Sequence, residues 1–232
     1  MSEGPWTQHA PGLWFSDVVT SGNGPLRQVA LRLADGDLVV VSPIGSTPEP
    51  THEALLAIGT PSLLLAPNFF HNLGLKRWIE RHPHAVTVAT EAATGRLRRK
   101  TPVPIHAIEG LRERLPPHVT LIEPPFTRTG EVWLRVEGEG GVGWVVCDAF
   151  FNFPNLPSGV IGWFIAATFN GPGLAIGGTF RVLALRDRPA YAAWLRAQIA
   201  ADRPVWIAPS HGDLIAGPKL PERLQRLVNA SF

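Results

Sequence analysis

Two histidines and one aspartate follow runs of apolar residues that are typical of buried β-strands. His71 comes a short turn after one such run, Asp148 directly after a second, and His211 after a Pro-Ser turn that follows a third. Loops at the carboxyl ends of strands line the crevice in which α/β sheets bind ligands. Two imidazoles and a carboxylate suit Zn²⁺ or Fe²⁺, so the three side chains are candidate ligands of one metal ion. The alternative is a metal-free, hydrogen-bonded cluster that stabilises the edge of the sheet.

The elements that must position these residues alternate between strands and helices. The predicted strands span residues 26–33, 38–41, 63–66, 85–88, 119–122, 131–137, 143–147 and 205–208, and the predicted helices span 51–58, 75–79, 187–199 and 220–228. An Asp-Gly pair at Asp35 and Gly36 predicts a hairpin between the first two strands. Hairpins followed by alternating strands and helices, twice over, favour a layered α/β protein with mixed sheets. No repeat or long linker divides the chain, so we expect one domain over residues 1–232.

Composition excludes several classes of function. The chain is 45% hydrophobic and 17% charged, which is typical of a globular protein. A net charge of +2 is too small for a nucleic-acid-binding surface, and the basic cluster 96–100 is interpreted as a solvated face. The single cysteine, Cys147, excludes an internal disulfide. No signal peptide is visible, so a cytoplasmic location is the default expectation.

A segment without charged residues extends from residue 149 to residue 180. A membrane-spanning helix needs about 20 continuous apolar residues, and prolines and glycines interrupt this segment too often for that. The segment is therefore predicted to contain a buried helix, centred on residues 160–167, rather than a transmembrane span. The alternatives are a homodimer surface or an apolar lid beside a site, because large apolar surfaces mark interaction sites.

Three short segments resemble the metallo-β-lactamase superfamily. They are residues 66–74 (APNFFHNLG), 146–148 (VCD) and 208–212 (APSHG). The resemblance extends from about Leu13 to Val228 and is strongest to a bacterial and plant branch with Pro-Asn-x-x-His and Asp-x-x-x-Asn segments. It implies a four-layer αββα sandwich of two mixed β-sheets flanked by helices, with a metal site along one edge of the sheets.

The metal-binding motif of the superfamily, His-x-His-x-Asp-His, is degenerate in this chain. The resemblance places its first two histidines at Ala66 and Asn68, its aspartate at Phe70 and a later histidine near Thr127. One of the two metal positions has therefore lost every imidazole. A mechanism that uses two metal ions is not available with these residues.

The other metal position keeps His71, Asp148 and His211, as the resemblance implies. We expect a hydrolase that uses one zinc or iron ion and a metal-bound water against a small-molecule substrate of unknown identity. Asp148 and Asn68 are the residues expected to assist catalysis. The alternative is a catalytically inactive, metal-free scaffold that binds a partner or an apolar ligand through residues 150–169.

Several other polar residues are weaker candidates. Asp213 could orient His211, and Asn152 could anchor the chain after Asp148, although both residue types also form turns. Ser42 and Ser210 lie near strand ends, but no Gly-x-Ser-x-Gly motif supports a nucleophilic serine. His52 is expected in polar surroundings and His82 at the surface.

Overall fold

A computed structural model describes residues 6–20, 24–155 and 172–232. These residues form two compact units. The first unit contains the residues up to Thr120 together with Thr129–Glu131, and the second contains Leu121–Arg128 and Val132–Phe232. The helix expected at residues 160–167 lies outside the described residues.

The first unit is a mixed sheet with helices packed on it. Its strands are β1 (Thr7–Ala10), β2 (Leu13–Thr20), β3 (Gly24–Arg32), β4 (Leu38–Val41), β5 (Pro61–Leu65), β6 (Val86–Ala89) and β7 (His106–Ala107). Strands β1 to β4 pair antiparallel in sequence order, and β4 to β7 pair parallel. Its helices are Glu49–Ile58, Leu75–Arg81, Glu91–Lys100 and Glu109–Arg112.

Local sequence explains several elements of the first unit. The predicted hairpin at Gly36 is confirmed, since this glycine has φ +93° and joins β3 to β4. The helix Glu49–Ile58 ends at Gly59, as expected. Apolar side chains of three helices pack with those of β4 and β5, including Leu64 and Trp78. The basic residues at positions 96 and 98–100 are exposed on the helix Glu91–Lys100, which confirms their interpretation as a solvated face.

The second unit is also a mixed sheet with helices. Its strands are β8 (Val119–Ile122, which begins in the first unit), β9 (Trp133–Gly138), β10 (Gly141–Phe153), β11 (Gly173–Ile176), β12 (Trp206–Gly212) and β13 (Ile215–Ala216). Strand β10 pairs antiparallel with β9 and β11 and parallel with β12, and β13 pairs antiparallel with β12. A π-helix, Phe180–Ala184, precedes the helices Arg188–Asp202 and Leu220–Ser231. The α/β class with mixed sheets is confirmed.

The helix Arg188–Asp202 begins where the sequence predicts. The side chain of Asp187 accepts a hydrogen bond of 2.9 Å from the backbone N–H of Ala190, and a proline lies in the first turn. This helix covers one face of β9, where Trp133 packs with its ring centroid 5.5 Å from that of Trp194. The helix buries Trp133 completely.

Two further expectations are corrected. Strands β10 and β12 continue through Asp148 and His211, so these residues lie within strands and not in the loops that follow them. His52 is buried, not in polar surroundings, because its helix turns the ring towards Trp78, with 4.5 Å between the ring centroids. Within the described residues no helix has both the length and the apolar character needed to cross a bilayer.

Candidate metal centre

In the first unit, His71 lies on a turn that follows β5. Asn68 shapes this turn: its side-chain oxygen accepts hydrogen bonds from the backbone N–H groups of Phe70 (2.7 Å) and His71 (3.2 Å). Asn68 is fully buried. Asn72 closes the turn by donating from its side chain to the carbonyl oxygens of Phe69 (2.8 Å) and Phe70. The turn is therefore held by amide side chains, and a catalytic role for Asn68 stays a prediction.

The ring of His71 is hydrogen-bonded to Ser42. The bond joins the Nδ1 atom of His71 to the Oγ atom of Ser42. Ser42 directly follows β4, is only 4% exposed and has φ +57°, which is uncommon for a residue other than glycine. Its backbone N–H donates to the carbonyl oxygen of Leu65 at the end of β5 (3.0 Å). Sequence reasoning did not find this pair, although neighbouring parallel strands that end at the same edge give a signal for it.

A close backbone approach holds together the turn that carries His71 and the segment that follows Ser42. A Cβ atom on Gly74 would lie 2.0 Å from the carbonyl oxygen of Pro43. Only glycine leaves room for this approach between the turn that carries His71 and the segment that follows Ser42. The first unit thus presents an imidazole whose backbone and ring are both fixed.

In the second unit, Asp148 and His211 are brought together. The Nε2 atom of His211 lies 3.1 Å from the Oδ1 atom of Asp148, and the side chains are 18% and 16% exposed. A bulge in β10 makes this possible. The register pairs Val146 with Pro209 and Phe151 with His211, so residues 147–150 of β10 lie opposite a single residue of β12. Such a bulge re-aims side chains out of the regular strand pattern.

Two hydrogen bonds join Asn152 of β10 to Asp213, which lies two residues after His211. The side-chain amide of Asn152 donates to the carbonyl oxygen of Asp213, and the backbone N–H of Asp213 donates to the carbonyl oxygen of Asn152, both at 2.8 Å. Gly212 lies between them with φ +96°, and a Cβ atom there would lie 2.0 Å from the Asn152 carbonyl oxygen. Asn152 lies within β10 and therefore does not form a turn.

The separation of the ligand atoms of Asp148 and His211 is compatible with the binding of one metal ion by both side chains. Two ligand atoms that each lie about 2.0 Å from one tetrahedral zinc ion are separated by about 3.3 Å. The 3.1 Å between His211 Nε2 and Asp148 Oδ1 is close to this value, and it equally suits a direct hydrogen bond. Imidazole nitrogen and carboxylate oxygen are donors that Zn²⁺ and Fe²⁺ accept.

Other contacts are made by the side chains at the positions where the resemblance places the remaining metal ligands of the superfamily. Phe70 is partly exposed, and the guanidinium of Arg96 lies over its ring (5.6 Å) and closer over that of Phe69 (4.1 Å). The hydroxyl of Thr127 donates to the carbonyl oxygen of Pro124 (3.2 Å). Ala66 is buried in the core of the first unit. These side chains contain no imidazole or carboxylate.

Similar solved structures cover nearly the whole chain. They include the DIM-1 metallo-β-lactamase exposed to ceftazidime, with 11% identity over 100% of both chains and a TM-score of 0.60. They also include the FIM-1 enzyme from Pseudomonas aeruginosa in its mono-zinc form, with 14% identity over 99% of this chain and 97% of the other and a TM-score of 0.59. The protein has the metallo-β-lactamase fold.

A third structure with this fold, a metallo-β-lactamase from Erythrobacter litoralis with β-mercaptoethanol in the active site, is 16% identical over 97% of this chain and 96% of the other, with a TM-score of 0.61. No family model matches the sequence, and no curated protein matches it either. The metallo-β-lactamase fold is therefore established from three-dimensional similarity. At these identities it defines the scaffold and leaves the reaction open, because one fold hosts many activities.

Proposed function

We propose that the protein is a metal-dependent hydrolase that binds one zinc or iron ion through His71, Asp148 and His211. The observation that carries the proposal is the 3.1 Å approach of His211 Nε2 to Asp148 Oδ1, which suits two ligands of one ion. A bound ion would supply Lewis-acid chemistry that polarises the bond to be hydrolysed. The protein's own contribution is to hold the three side chains, with Asn152 and Asp213 fixing the strand that carries His211.

One metal ion, and not two, is supported by the residues at the other metal position. Ala66, Asn68 and Thr127 provide no imidazole, and Phe70 provides no carboxylate. A single ion is compatible with this fold, since FIM-1 is described in a mono-zinc form. We therefore propose a mononuclear centre with open coordination positions, as catalytic metal sites require.

The competing proposal is a metal-free scaffold that binds a partner or an apolar ligand. It is favoured by the same pair of residues, because His211 and Asp148 already complete a hydrogen bond without an ion. The apolar segment proposed to bind the ligand, or to form a homodimer, lies partly in residues 156–171, outside the described residues. Metal content separates the two proposals.

The test is metal analysis and zinc titration of the full-length protein. We expect about one equivalent of zinc or iron in the wild type, and a shift of the unfolding midpoint to higher denaturant when zinc is added, because an ion that binds only the folded state stabilises it. His71→Ala, Asp148→Asn and His211→Ala should each weaken zinc binding at least about tenfold.

A matched control is His106→Ala, which removes an exposed imidazole on β7. This variant should bind zinc as the wild type does. A wild-type protein that contains no metal, and whose unfolding midpoint is the same in zinc and in chelator, would contradict the hydrolase and support the scaffold. Two equivalents of tightly bound zinc would contradict the mononuclear centre.

A further inference from the structure

The hydrogen bond between Ser42 and His71 can run in either direction, depending on which ring nitrogen of His71 carries the proton. If His71 carries its proton on Nδ1, the ring donates to Ser42, and the Nε2 atom carries a lone pair that can bind a metal ion. If the proton is on Nε2, Ser42 donates to Nδ1, as a nucleophilic serine donates to its general base. The hydrogen bond itself is compatible with both arrangements.

We propose that Ser42 is a positioning residue that accepts a hydrogen bond from the Nδ1–H group of His71 and thereby presents Nε2 to the metal ion. The metal part of this inference rests on the proposed function. A histidine that binds a metal through one ring nitrogen commonly donates a hydrogen bond from the other, which fixes the tautomer and the ring orientation. Neither the resemblance nor the sequence pattern assigns this role to Ser42.

Burial of Ser42 favours the positioning role over a nucleophilic one. The residue is 4% exposed, and its Oγ atom lies against the imidazole ring. A nucleophile must be reached by the carbonyl or phosphoryl group that it attacks, whereas a residue that orients a ring can be enclosed. His71 is itself half-buried, so part of its surface reaches solvent while Ser42 is enclosed.

The backbone of Ser42 supports the same inference. Its φ of +57° lies in the left-handed region, which glycine adopts without strain and serine does not. Strained backbone conformations persist where the surrounding structure enforces them, and they are concentrated at functional sites. Glycine would relieve the strain at this position but could not accept the hydrogen bond from His71. Serine differs from glycine, which this backbone conformation favours, by the hydroxyl that contacts His71.

His71 is fixed at two points as a result. Its backbone N–H donates to Asn68 (3.2 Å), and its ring contacts Ser42. With the backbone N–H and the Nδ1 atom both hydrogen-bonded, the orientation of the ring is restricted. This arrangement removes the ring rotation that a metal would otherwise have to freeze.

The first experiment reads the tautomer of His71 in the metal-free, full-length protein. Two-bond ¹H–¹⁵N NMR distinguishes the tautomers, and the His71→Ala variant assigns the signals. We expect the Nδ1–H tautomer in the wild type and a shift towards the Nε2–H tautomer in Ser42→Gly, which keeps the backbone conformation. Ser42→Asp should restore the Nδ1–H tautomer, since its carboxylate is an acceptor and aspartate tolerates positive φ.

Arg203→Gly is the matched control, because Arg203 also has positive φ, at +45°, but lies at the end of a helix in the second unit. It should leave the His71 signals unchanged. An Nε2–H tautomer in the wild type would overturn the proposal, and labelling of Ser42 by a fluorophosphonate would then identify it as a nucleophile. A Ser42→Gly spectrum identical to that of the wild type would also overturn it.

The second experiment measures zinc affinity. We expect Ser42→Gly to bind one zinc ion with about 10- to 100-fold lower affinity than the wild type. Equal affinities, in a wild type that does bind zinc, would overturn the positioning role and leave the proposed function standing. A wild type that binds no zinc would overturn the proposed function, and the tautomer measurement would still decide whether Ser42 positions the ring.

Discussion

Gly74 approaches Pro43 so closely that a Cβ atom at residue 74 would lie 2.0 Å from the Pro43 carbonyl oxygen. The same Cβ would lie 2.7 Å from the backbone nitrogen of Gly45. Because the neighbouring atoms belong to the backbone, they cannot yield by rotating a side chain. The approach fixes the distance between the segment after Ser42 and the turn that carries His71.

Gly74→Ala should therefore destabilise the protein and disturb the Ser42–His71 contact. We expect a loss of about 2 kcal/mol or more in the free energy of unfolding, at the upper part of the range for overpacked sites. Urea denaturation measures this loss. Gly95→Ala is the control, since a Cβ at this helical position meets no atom within 4 Å and alanine is the better helix former. It should stabilise by about 0.5–1 kcal/mol, and equal effects of the two substitutions would contradict the steric argument.

Gly212→Ala tests the corresponding approach in the second unit. This glycine combines a φ of +96° with an Asn152 carbonyl oxygen 2.0 Å from the position of a Cβ. Gly217 has a φ of +147° but open space around it, so Gly217→Ala measures the conformational strain alone. We expect about 1 kcal/mol of destabilisation for Gly217→Ala and clearly more for Gly212→Ala. If the protein binds zinc, only Gly212→Ala should lower its affinity for zinc, since His211 is the adjacent residue.

The order of elements could be predicted from the sequence because its signals are local. The turn at Gly36 and the cap at Asp187 each depend on residues within one turn of the chain. It was harder to predict which side chains are buried. Trp133 and His52 are buried by helices that pack on them, and helix packing is a tertiary effect that overrides a local pattern.

The candidate site could be predicted in part for the same reason. Asp148 and His211 were found as polar residues after apolar runs, and the structure places their side chains in contact. The bulge in β10 depends on pairing with β12, some sixty residues later in the sequence, so no local pattern encodes it. The partner of His71 was missed because Ser42 precedes it by 29 residues and is joined to it only through the pairing of β4 with β5.

Asp202 should be important for stability of the second unit. Its carboxylate accepts hydrogen bonds from Arg135 (2.7 Å), Trp144 (2.9 Å) and Gln198 (2.8 Å), and its side chain is 6% exposed. Asp202→Ala leaves a guanidinium and an indole N–H without this acceptor, so we expect a loss of about 3 kcal/mol in the free energy of unfolding. Glu222→Gln, in an exposed pair with Arg203, should cost less than about 1 kcal/mol. Similar losses for the two variants in urea denaturation would contradict the role of Asp202.

His52 gives the first unit a dependence on pH. Burial is the largest cause that lowers the pKa of His52 to about 4, and the neighbouring His82 and Arg77 lower it further. Burial and Arg81 also lower the pKa of His82. The ring centroids of the two histidines are 5.8 Å apart, so a charge on one opposes a charge on the other. The His52 ring is therefore kept neutral by the fold at mildly acidic pH.

Between about pH 6.5 and about pH 4 the unfolded chain binds a proton at His52 that the folded protein does not. Stability contributed by the neutral ring is therefore complete above pH 6.5 and is lost as the pH falls, by up to about 3 kcal/mol near pH 4. His52→Leu removes this titration, so its free energy of unfolding should fall less steeply over that range in urea denaturation at stepped pH. Leu56→Gln, on the exposed face of the same helix, should keep the wild-type slope. A His52→Leu profile parallel to that of the wild type would show that the buried imidazole does not cause the acid sensitivity.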